Sequence, residues 1–273
     1  MKEFHIFYAP DLQAPGGRLP DEEAGHISRV LRMKEGDELF VADGHGNLHR
    51  CLLTLATKKY CEVQVIGTEQ LPNHWQSPIH LCVAPTKNMD RMEWLAEKAT
   101  EIGLDSLTFI RSANSERTVV KTERIEKILV SAMKQSHKAV KPLLVGMTPF
   151  DELISQPFDG QRFIAHCYDE ADITNDNNAT SKAADITTNN NITSKAADIN
   201  ATATHETAKP HLLDVVAPDR PTQVLIGPEG DFSIDEVRRA LAAGFQPISL
   251  GLSRLRTETA ALAAVHIMAL KKK

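Results

Sequence analysis

Hydrophobic positions split this chain into two stretches that differ in period. In residues 1–72 apolar side chains come in short runs separated by turn chemistry. Residues 37–46 read as a strand running into an Asp-Gly turn at Asp43-Gly44, and strands over 48–55 and 60–66 follow with partial alternation. That spacing predicts a β-meander or small barrel. One helical stretch, 24–32, interrupts it ahead of Gly36. It carries His26, Arg29 and Arg32 along one face, with Ile27, Val30 and Leu31 turned elsewhere.

Prolines and a lack of periodicity mark 71–78 as a linker. Beyond it the pattern alternates between strand and helix. Strands are predicted at 79–84, 107–111, 163–167, 223–226 and 247–250. Helices are predicted at 91–102, stopped by Gly103, and at 124–139. A third opens on the capping box Ser233-Ile234-Asp235-Glu236 and runs to about Ala243. The last, 260–270, is apolar nearly all round, which predicts burial against a partner subunit as well as the sheet. Alternating strands and helices imply an α/β domain with a mostly parallel sheet covered on both faces. Residues 172–210 do not fit that pattern. A 13-residue unit beginning at Asp172 recurs at Asp185 and, degraded, at Asp198. With so few large apolar side chains it buries no core, which predicts a disordered, solvated insertion apart from fold and chemistry.

A net charge of −5 counts against a nucleic-acid partner until it is divided along the chain. Residues 151–220 hold five basic against twelve acidic side chains, and residues 73–150 hold eleven against eight. Local surface decides RNA contact, so the total argues only against tight nonspecific binding. No apolar run is long enough to span a membrane, and the first residues lack a signal-peptide pattern, which predicts a cytoplasmic protein. Cys51, Cys61, Cys82 and Cys167 form no C-x-x-C pair and read as reduced, mostly core thiols, not as a metal site.

Chemistry concentrates in two loops near the end of the chain. Leu225-Ile226 closes a buried-type strand, and Gly227-Pro228-Glu229-Gly230 forms a tight turn. There Gly227 and Gly230 permit positive φ and close backbone approach, while Pro228 stiffens the turn. The strand ending at Ser249-Leu250-Gly251 leads through Arg254-Leu255-Arg256 to a helix that Thr257 or Thr259 can cap. One such loop is an ordinary strand-to-helix connection. Two suit a small polar cofactor gripped by backbone N–H and C=O groups. Arg254 and Arg256 read either as solvated loop charges or as contacts to RNA phosphate or a target base. Dinucleotide, phosphate-loop, zinc-protease and nucleophile-elbow signatures are absent.

The two loops resemble the cofactor loops of the SPOUT methyltransferases. Outside 172–210 the chain is similar to the ribosomal RNA small-subunit methyltransferase E family, which methylates N3 of one uridine with S-adenosylmethionine. The similarity extends to residues 26–32, Gly36-Asp37, 87–94 and 98–103, and less sharply to 115–120 and Gln135-Ser136. Asp231 stands where the family usually has Gly, which predicts a slightly altered turn. The resemblance implies a PUA-like RNA-binding barrel at 1–72 and a SPOUT domain at 73–273, whose C-terminal segment threads a loop as a deep trefoil knot, an exception to default topology. It also implies a homodimer. S-adenosylmethionine would be held by Leu225, Ile226, Gly227, Pro228, Glu229 and Gly230, and by Leu250, Gly251, Leu255, Arg256 and Thr257. No metal is implied.

Uridine N3 carries a proton at neutral pH, so such a site must assist its loss or stabilise the resulting anion at the carbonyl oxygens. Arginine suits the second task, and the candidates are Arg91, Arg117, Arg254 and Arg256. Arg91 and Arg117 read equally as structural, through an ion pair and a strand-to-loop step. A flipped base is required. His26, Arg29 and Arg32, with Arg117 and Lys121, are the candidates for gripping small-subunit RNA, extended by the basic run over 117–141. Two alternatives remain: a SPOUT ribose 2′-O-methyltransferase acting on tRNA or other rRNA, and an RNA-binding protein without catalysis.

Overall fold

The computed structural model describes residues 5–13, 15–57, 59–174 and 209–273. Apart from residues 172–174 and 209–210, the insertion read above lies outside them. The N-terminal part is a five-stranded sheet: β1 (Ile6–Tyr8), β2 (Gly16–Arg18), β3 (Glu38–Ala42), β4 (Asn47–Ala56) and β5 (Cys61–Gln70), in the order β1-β3-β4-β5-β2. All pairs are antiparallel except β1 with β3. Asp43 shapes the β3–β4 turn by accepting hydrogen bonds from His45 N (2.7 Å) and Asn47 N (3.0 Å). Leu39, Val41, Cys51, Leu53 and Val63 alternate inward onto Phe7, Ala24 and Ile27.

The helix predicted at 24–32 takes a different form. It starts earlier, as α1 (Asp21–Gly25), and continues as one π-helical turn, His26–Leu31, which ends with Arg32 in the left-handed region at φ 53°. The wider turn keeps Ile27 in the core and leaves Val30 exposed, so the 3.6-residue period fails here. His26, Arg29 and Arg32 are all exposed.

The second sheet has six parallel strands: β6 (Ile79–Val83), β7 (Ser106–Arg111), β8 (Leu143–Pro149), β9 (Gln161–Ala165), β10 (Thr222–Ile226) and β11 (Gln246–Ile248), in the order β11-β9-β10-β6-β7-β8. Its helices are α2 (Met89–Ile102), α3 (Thr122–Gln135), α4 (Phe150–Ser155), α5 (Glu170–Thr174), α6 (Leu212–Val215), α7 (Ile234–Ala242) and α8 (Thr257–Lys271). Alternation along β6 assigns the two faces. Ile79, Leu81 and Val83 pack with α2, α3, α6 and α8, whereas Cys82 and Ala84 pack with α4 and α7. α3 stops four residues before the predicted end, because His137 takes φ 55° and Val140 then bridges to Gly44 and His45 of the first sheet. Thr257 and Thr259 do not cap α8; Arg256 is its N-cap residue, without a side-chain cap. Cys51, Cys61 and Cys82 are buried free thiols, while Cys167 is exposed.

Three segments distant in sequence are fastened near the linker. Asp105 accepts from Trp75 Nε1 (2.6 Å), Asn73 Nδ2 (2.8 Å) and Ile79 N (2.7 Å). The Trp75 ring lies over Gly103, whose φ of 148° ends α2 and whose missing Cβ would stand 2.8 Å from the ring. Lys272 is buried, and its ammonium donates to Ser77 Oγ and to the Arg220 carbonyl. The two sheets are joined by Lys134 and Glu23 (2.5 Å), where Glu23 also accepts from Tyr8 N.

His166, directly after β9, is 8 % exposed, and its Nε2 has no hydrogen-bond partner. Burial first, and the neighbouring Lys209 ammonium second, push its pKa down to about 4.

Two expectations follow from this packing. Gly103→Val combines a disfavoured backbone with a clash against Trp75, and lowers stability by about 3 kcal/mol in urea unfolding; a loss under about 1 kcal/mol shows that the Trp75 contact is not tight. The folded chain keeps His166 neutral down to about pH 4, while the unfolded chain protonates it near pH 6.5. The stability involved is complete above pH 6.5 and lost as the pH falls towards 4, on the order of 3 kcal/mol at most. His166→Asn therefore flattens that part of the acid limb, and an identical acid loss in both proteins, from urea midpoints at pH 7 and pH 4.5, excludes this histidine as the source.

Candidate functional site

Register decides which loops meet. Ile226 pairs with Ala165 on one side and Val83 on the other, and Ile248 also pairs with Ala165. The carboxyl ends of β11, β9, β10 and β6 therefore stand in one row. In open parallel sheets ligands bind in the crevice beyond such ends. Both loops singled out from the sequence, after β10 and after β11, open there. They are not neighbours, however: β9 lies between them.

The loop after β10 is built differently from expectation. Neither Gly227 nor Gly230 has positive φ; that conformation falls on Asp231 (62°) and, in the second loop, on Gly251 (128°). The two glycines are needed for space instead. A Cβ on Gly227 would stand 3.1 Å from Phe232 N, and one on Gly230 would stand 3.2 Å from Asn114 Cβ. Asp231 N donates back to the Pro228 carbonyl (3.0 Å) and closes the turn. Neighbouring loops hold it from outside. Lys87 N donates to Glu229 Oε1 (3.1 Å), and Asn114 Nδ2 donates to the carbonyls of Gly230 (3.2 Å) and Asp231 (3.1 Å). The capping box at Ser233 is present, and Glu236 also accepts from Ala113 N (2.7 Å).

The loop after β11 is open. Gly251 is exposed, and a Cβ there would meet nothing within 4 Å. Leu250 and Leu255 are half-buried, Thr257 is buried, and Leu252 is fully exposed. Arg254 and Arg256 are exposed, and among the described residues neither guanidinium has a hydrogen-bond or ion-pair partner. Arg91 and Arg117 are engaged. Arg91 Nε faces Glu258 Oε1 at 3.6 Å, joining the first turns of α2 and α8. Arg117 donates from Nε to the Thr86 carbonyl (3.3 Å) and from Nη2 to the Lys87 carbonyl (2.5 Å). It thereby fastens the loop after β6, the same loop whose Lys87 amide meets Glu229.

Most of the basic run over 117–141 is also taken up internally. Arg124 pairs with Glu93, Lys127 with Glu22, Lys134 with Glu23 and Lys141 with Glu126, while Lys138 donates to the Glu101 carbonyl. Lys121 stays exposed, at the N-cap of α3. The expected extension of a basic RNA surface along α3 is thus a set of internal pairs, four of which cannot be read from a helix alone because their partners lie on other elements or across the sheet junction.

Sequence reasoning missed the loop after β9: His166, Cys167 and Tyr168. No local signal marks it, since its placement follows from strand order. Cys167 N donates to Asp231 Oδ2 (2.7 Å) and the Tyr168 hydroxyl to the Phe232 carbonyl (2.8 Å), so this loop is sewn to the loop after β10. Burial, then the Asp231 carboxylate, raise the Cys167 pKa, and burial lowers that of Lys209 beside it. Among the described residues, no group of three or more His, Cys, Asp or Glu is placed to hold a metal ion, and no helix is long and apolar enough to cross a membrane.

Comparison with known proteins agrees with this geometry. The family model of the RNA methyltransferase domain matches residues 73–193 and 183–269, and that of the RNA methyltransferase PUA domain matches residues 19–66. A solved structure of a "probable rRNA-methyltransferase" from Porphyromonas gingivalis is 39% identical, with 98% of each chain covered and a TM-score of 0.79. The ribosomal RNA small subunit methyltransferase E of Bacillus subtilis is 26% identical over 260 residues, 93% of this chain and 89% of its own length. The Neisseria gonorrhoeae enzyme of the same name, solved bound to S-adenosyl methionine, shares the fold at 24% identity and a TM-score of 0.76 over 98% of each chain. A parallel sheet whose loops converge at one edge, preceded by a PUA-like sheet, is thus the architecture of an enzyme family, and the chain belongs to it: the RNA methyltransferases, together with the ribosomal RNA small subunit methyltransferases E.

Proposed function

We propose that this protein transfers a methyl group from S-adenosylmethionine to N3 of a uridine in small-subunit (16S) ribosomal RNA, on the assembled subunit, in the cytoplasm. The observation that supports the reading is the row of strand ends, from which two Gly-bearing loops leave one edge of the sheet, the second of them carrying two unpartnered arginines. The residues fit the cofactor. The exposed Gly251 leaves open space beside its backbone for a ligand to approach, and Ile226 through Gly230 supply backbone on the other side of β9. Leu225, Leu250, Leu255, Arg256 and Thr257 complete the set that would hold it.

The bound sulfonium supplies an activated methyl group. The chain's own task is to make the uridine nitrogen nucleophilic. A guanidinium keeps its charge at any working pH and presents donors in a fixed fork, so it stabilises the anion left when N3 loses its proton. Arg254 and Arg256 are available for this, having no internal partner. Arg117 and Arg91 act one step back, holding the loop after β6 and the start of α8. Residues 1–72 form the RNA-gripping domain and 73–273 the methyltransferase domain. The exposed His26, Arg29 and Arg32, with Lys121, contact the phosphate backbone.

Two further features accompany this reading. Ser249 N donates to the Pro210 carbonyl (2.9 Å) and Leu212 N to the Ser249 carbonyl (3.0 Å), so the chain entering β10 is stitched to the chain leaving β11. The returning α8 then packs across β6 and β10. Such stitching supports a threaded C-terminal segment, the trefoil knot. In addition α8 is apolar nearly all round over residues 260–270, yet only Ala261, Ala264, Val265 and Met268 of its apolar residues are buried within the chain, with Leu270 exposed and Trp94 exposed on the adjoining α2. A homodimer covers that outer face.

The decisive test uses small subunits lacking base methylation, incubated with the protein and labelled S-adenosylmethionine, then digested for nucleoside mass spectrometry. 3-Methyluridine is expected. Arg254→Ala and Arg256→Ala leave the fold intact, and at least one lowers the rate by about 100-fold; methylation of ribose, or of tRNA alone, sinks the uridine-N3 reading, and full activity in both variants moves the anion-stabilising group elsewhere. In sedimentation the protein runs as a dimer and Leu270→Glu shifts it towards monomer, whereas a monomeric parent protein removes the proposed second copy.

A further inference from the structure

Asp231 occupies a backbone conformation, φ 62°, that glycine adopts freely and most side chains avoid. Its carboxylate has a definite use there. Oδ2 accepts from Cys167 N at 2.7 Å, across the gap between the loop after β9 and the loop after β10, while Oδ1 accepts from its own neighbour Phe232 N at 2.8 Å. Hydrogen bonds to an ionised acceptor are the stronger kind. The same two loops are tied a second time by the Tyr168 hydroxyl on the Phe232 carbonyl. Lys209, in the segment leading into α6, holds the far side through the carbonyls of His166 (2.5 Å) and Tyr168 (3.0 Å).

We propose that Asp231 is a positioning residue that locks the loop after β9 onto the loop after β10, and so presets the crevice for S-adenosylmethionine before it binds. A glycine at this site would relax the backbone and release Cys167. The crevice would then have to be ordered by the cofactor itself, at the expense of affinity. Asp231 does not touch the reacting atoms; it acts through the two loops it joins. This inference rests on the assignment of S-adenosylmethionine to these loops.

The test compares the full-length protein with Asp231→Gly and Asp231→Asn. Calorimetric titration with S-adenosylmethionine and with S-adenosylhomocysteine is read beside thermal unfolding and steady-state methyl transfer. Because glycine accepts φ 62° without strain, Asp231→Gly is expected to unfold at nearly the parent temperature. It binds both molecules about tenfold more weakly, the size of one charge-assisted hydrogen bond, and KM for the cofactor rises while KM for RNA does not. Asparagine tolerates the same backbone and keeps one acceptor for Cys167 N, so Asp231→Asn recovers to within about threefold of the parent. A turn residue with no positioning role would leave affinity unmoved. Binding by Asp231→Gly within about twofold of the parent, or asparagine no better than glycine, overturns the proposal alone. A parent protein that binds neither molecule removes the cofactor assignment, and this inference with it.

Discussion

A parallel sheet delivers every strand-to-helix connection to the same edge, and the pairing register fixes how level that edge is. Here Ile248, Ala165, Ile226 and Val83 finish in one row across four strands. Slipping β10 by one residue would exchange its faces, moving Val224 and Ile226 out of the core they share with α2 and α8 and Leu225 out of the one it shares with α4 and α7. The two cores that sandwich the sheet therefore hold the register, and the register holds the crevice. Backbone groups fixed in this way need no reorganisation when a ligand arrives, which is where preorganised sites gain over flexible ones. The supporting contacts follow the same logic. Glu229, Asn114, Glu236 and Arg117 each reach to a neighbouring connection, so these loops are braced by one another as well as by their own turns.

Much of this was legible in the sequence, and the failures have physical causes. The central strands β6, β7 and β10 are short apolar runs bounded by turn residues, because both of their faces are buried. Gly103 and the Ser233 capping box mark helix ends through local chemistry that needs no tertiary context. The edge strands β2 and β8 are not legible. β8 carries Gly146 and ends at Pro149, β2 is three residues with two glycines, and neither shows a period. The π-helical turn at His26–Leu31 was read as ordinary helix because its widening serves the burial of Ile27, a tertiary demand. Of the two reasons for Gly227 and Gly230, close approach holds and positive φ does not: a side chain there would crowd Phe232 and Asn114, while the positive φ sits on Asp231. The loop after β9 was invisible because strand order is a property of the fold and not of any segment.

Charge placement shows why a basic run in the sequence is not by itself an RNA surface. A run of lysines and arginines on a helix is usually a solvated face, and α3 illustrates how it acquires a use that has nothing to do with nucleic acid. Lys127 and Lys134 meet Glu22 and Glu23 of α1, and Val140 bridges to Gly44, so α3 is a bracket between the two sheets. The exposed pair at Glu22 contributes little by itself, whereas the part-buried Lys134–Glu23 pair, which also takes the Tyr8 amide, fixes an orientation.

What separates the four candidate arginines is therefore not their position in the sequence but whether their donors are already used. Arg117 places two donors on backbone carbonyls, and Arg91 faces a buried carboxylate whose second oxygen has no partner. Moving either towards a substrate would leave a buried acceptor unsatisfied, at a cost comparable to a lost hydrogen bond for the Thr86 carbonyl and larger for the Glu258 carboxylate. Arg254 and Arg256 carry no such penalty, and Leu255 between them is half-buried. With no partner to hold them, both guanidiniums are able to reorient. That freedom suits a group that must find a base only after RNA has docked.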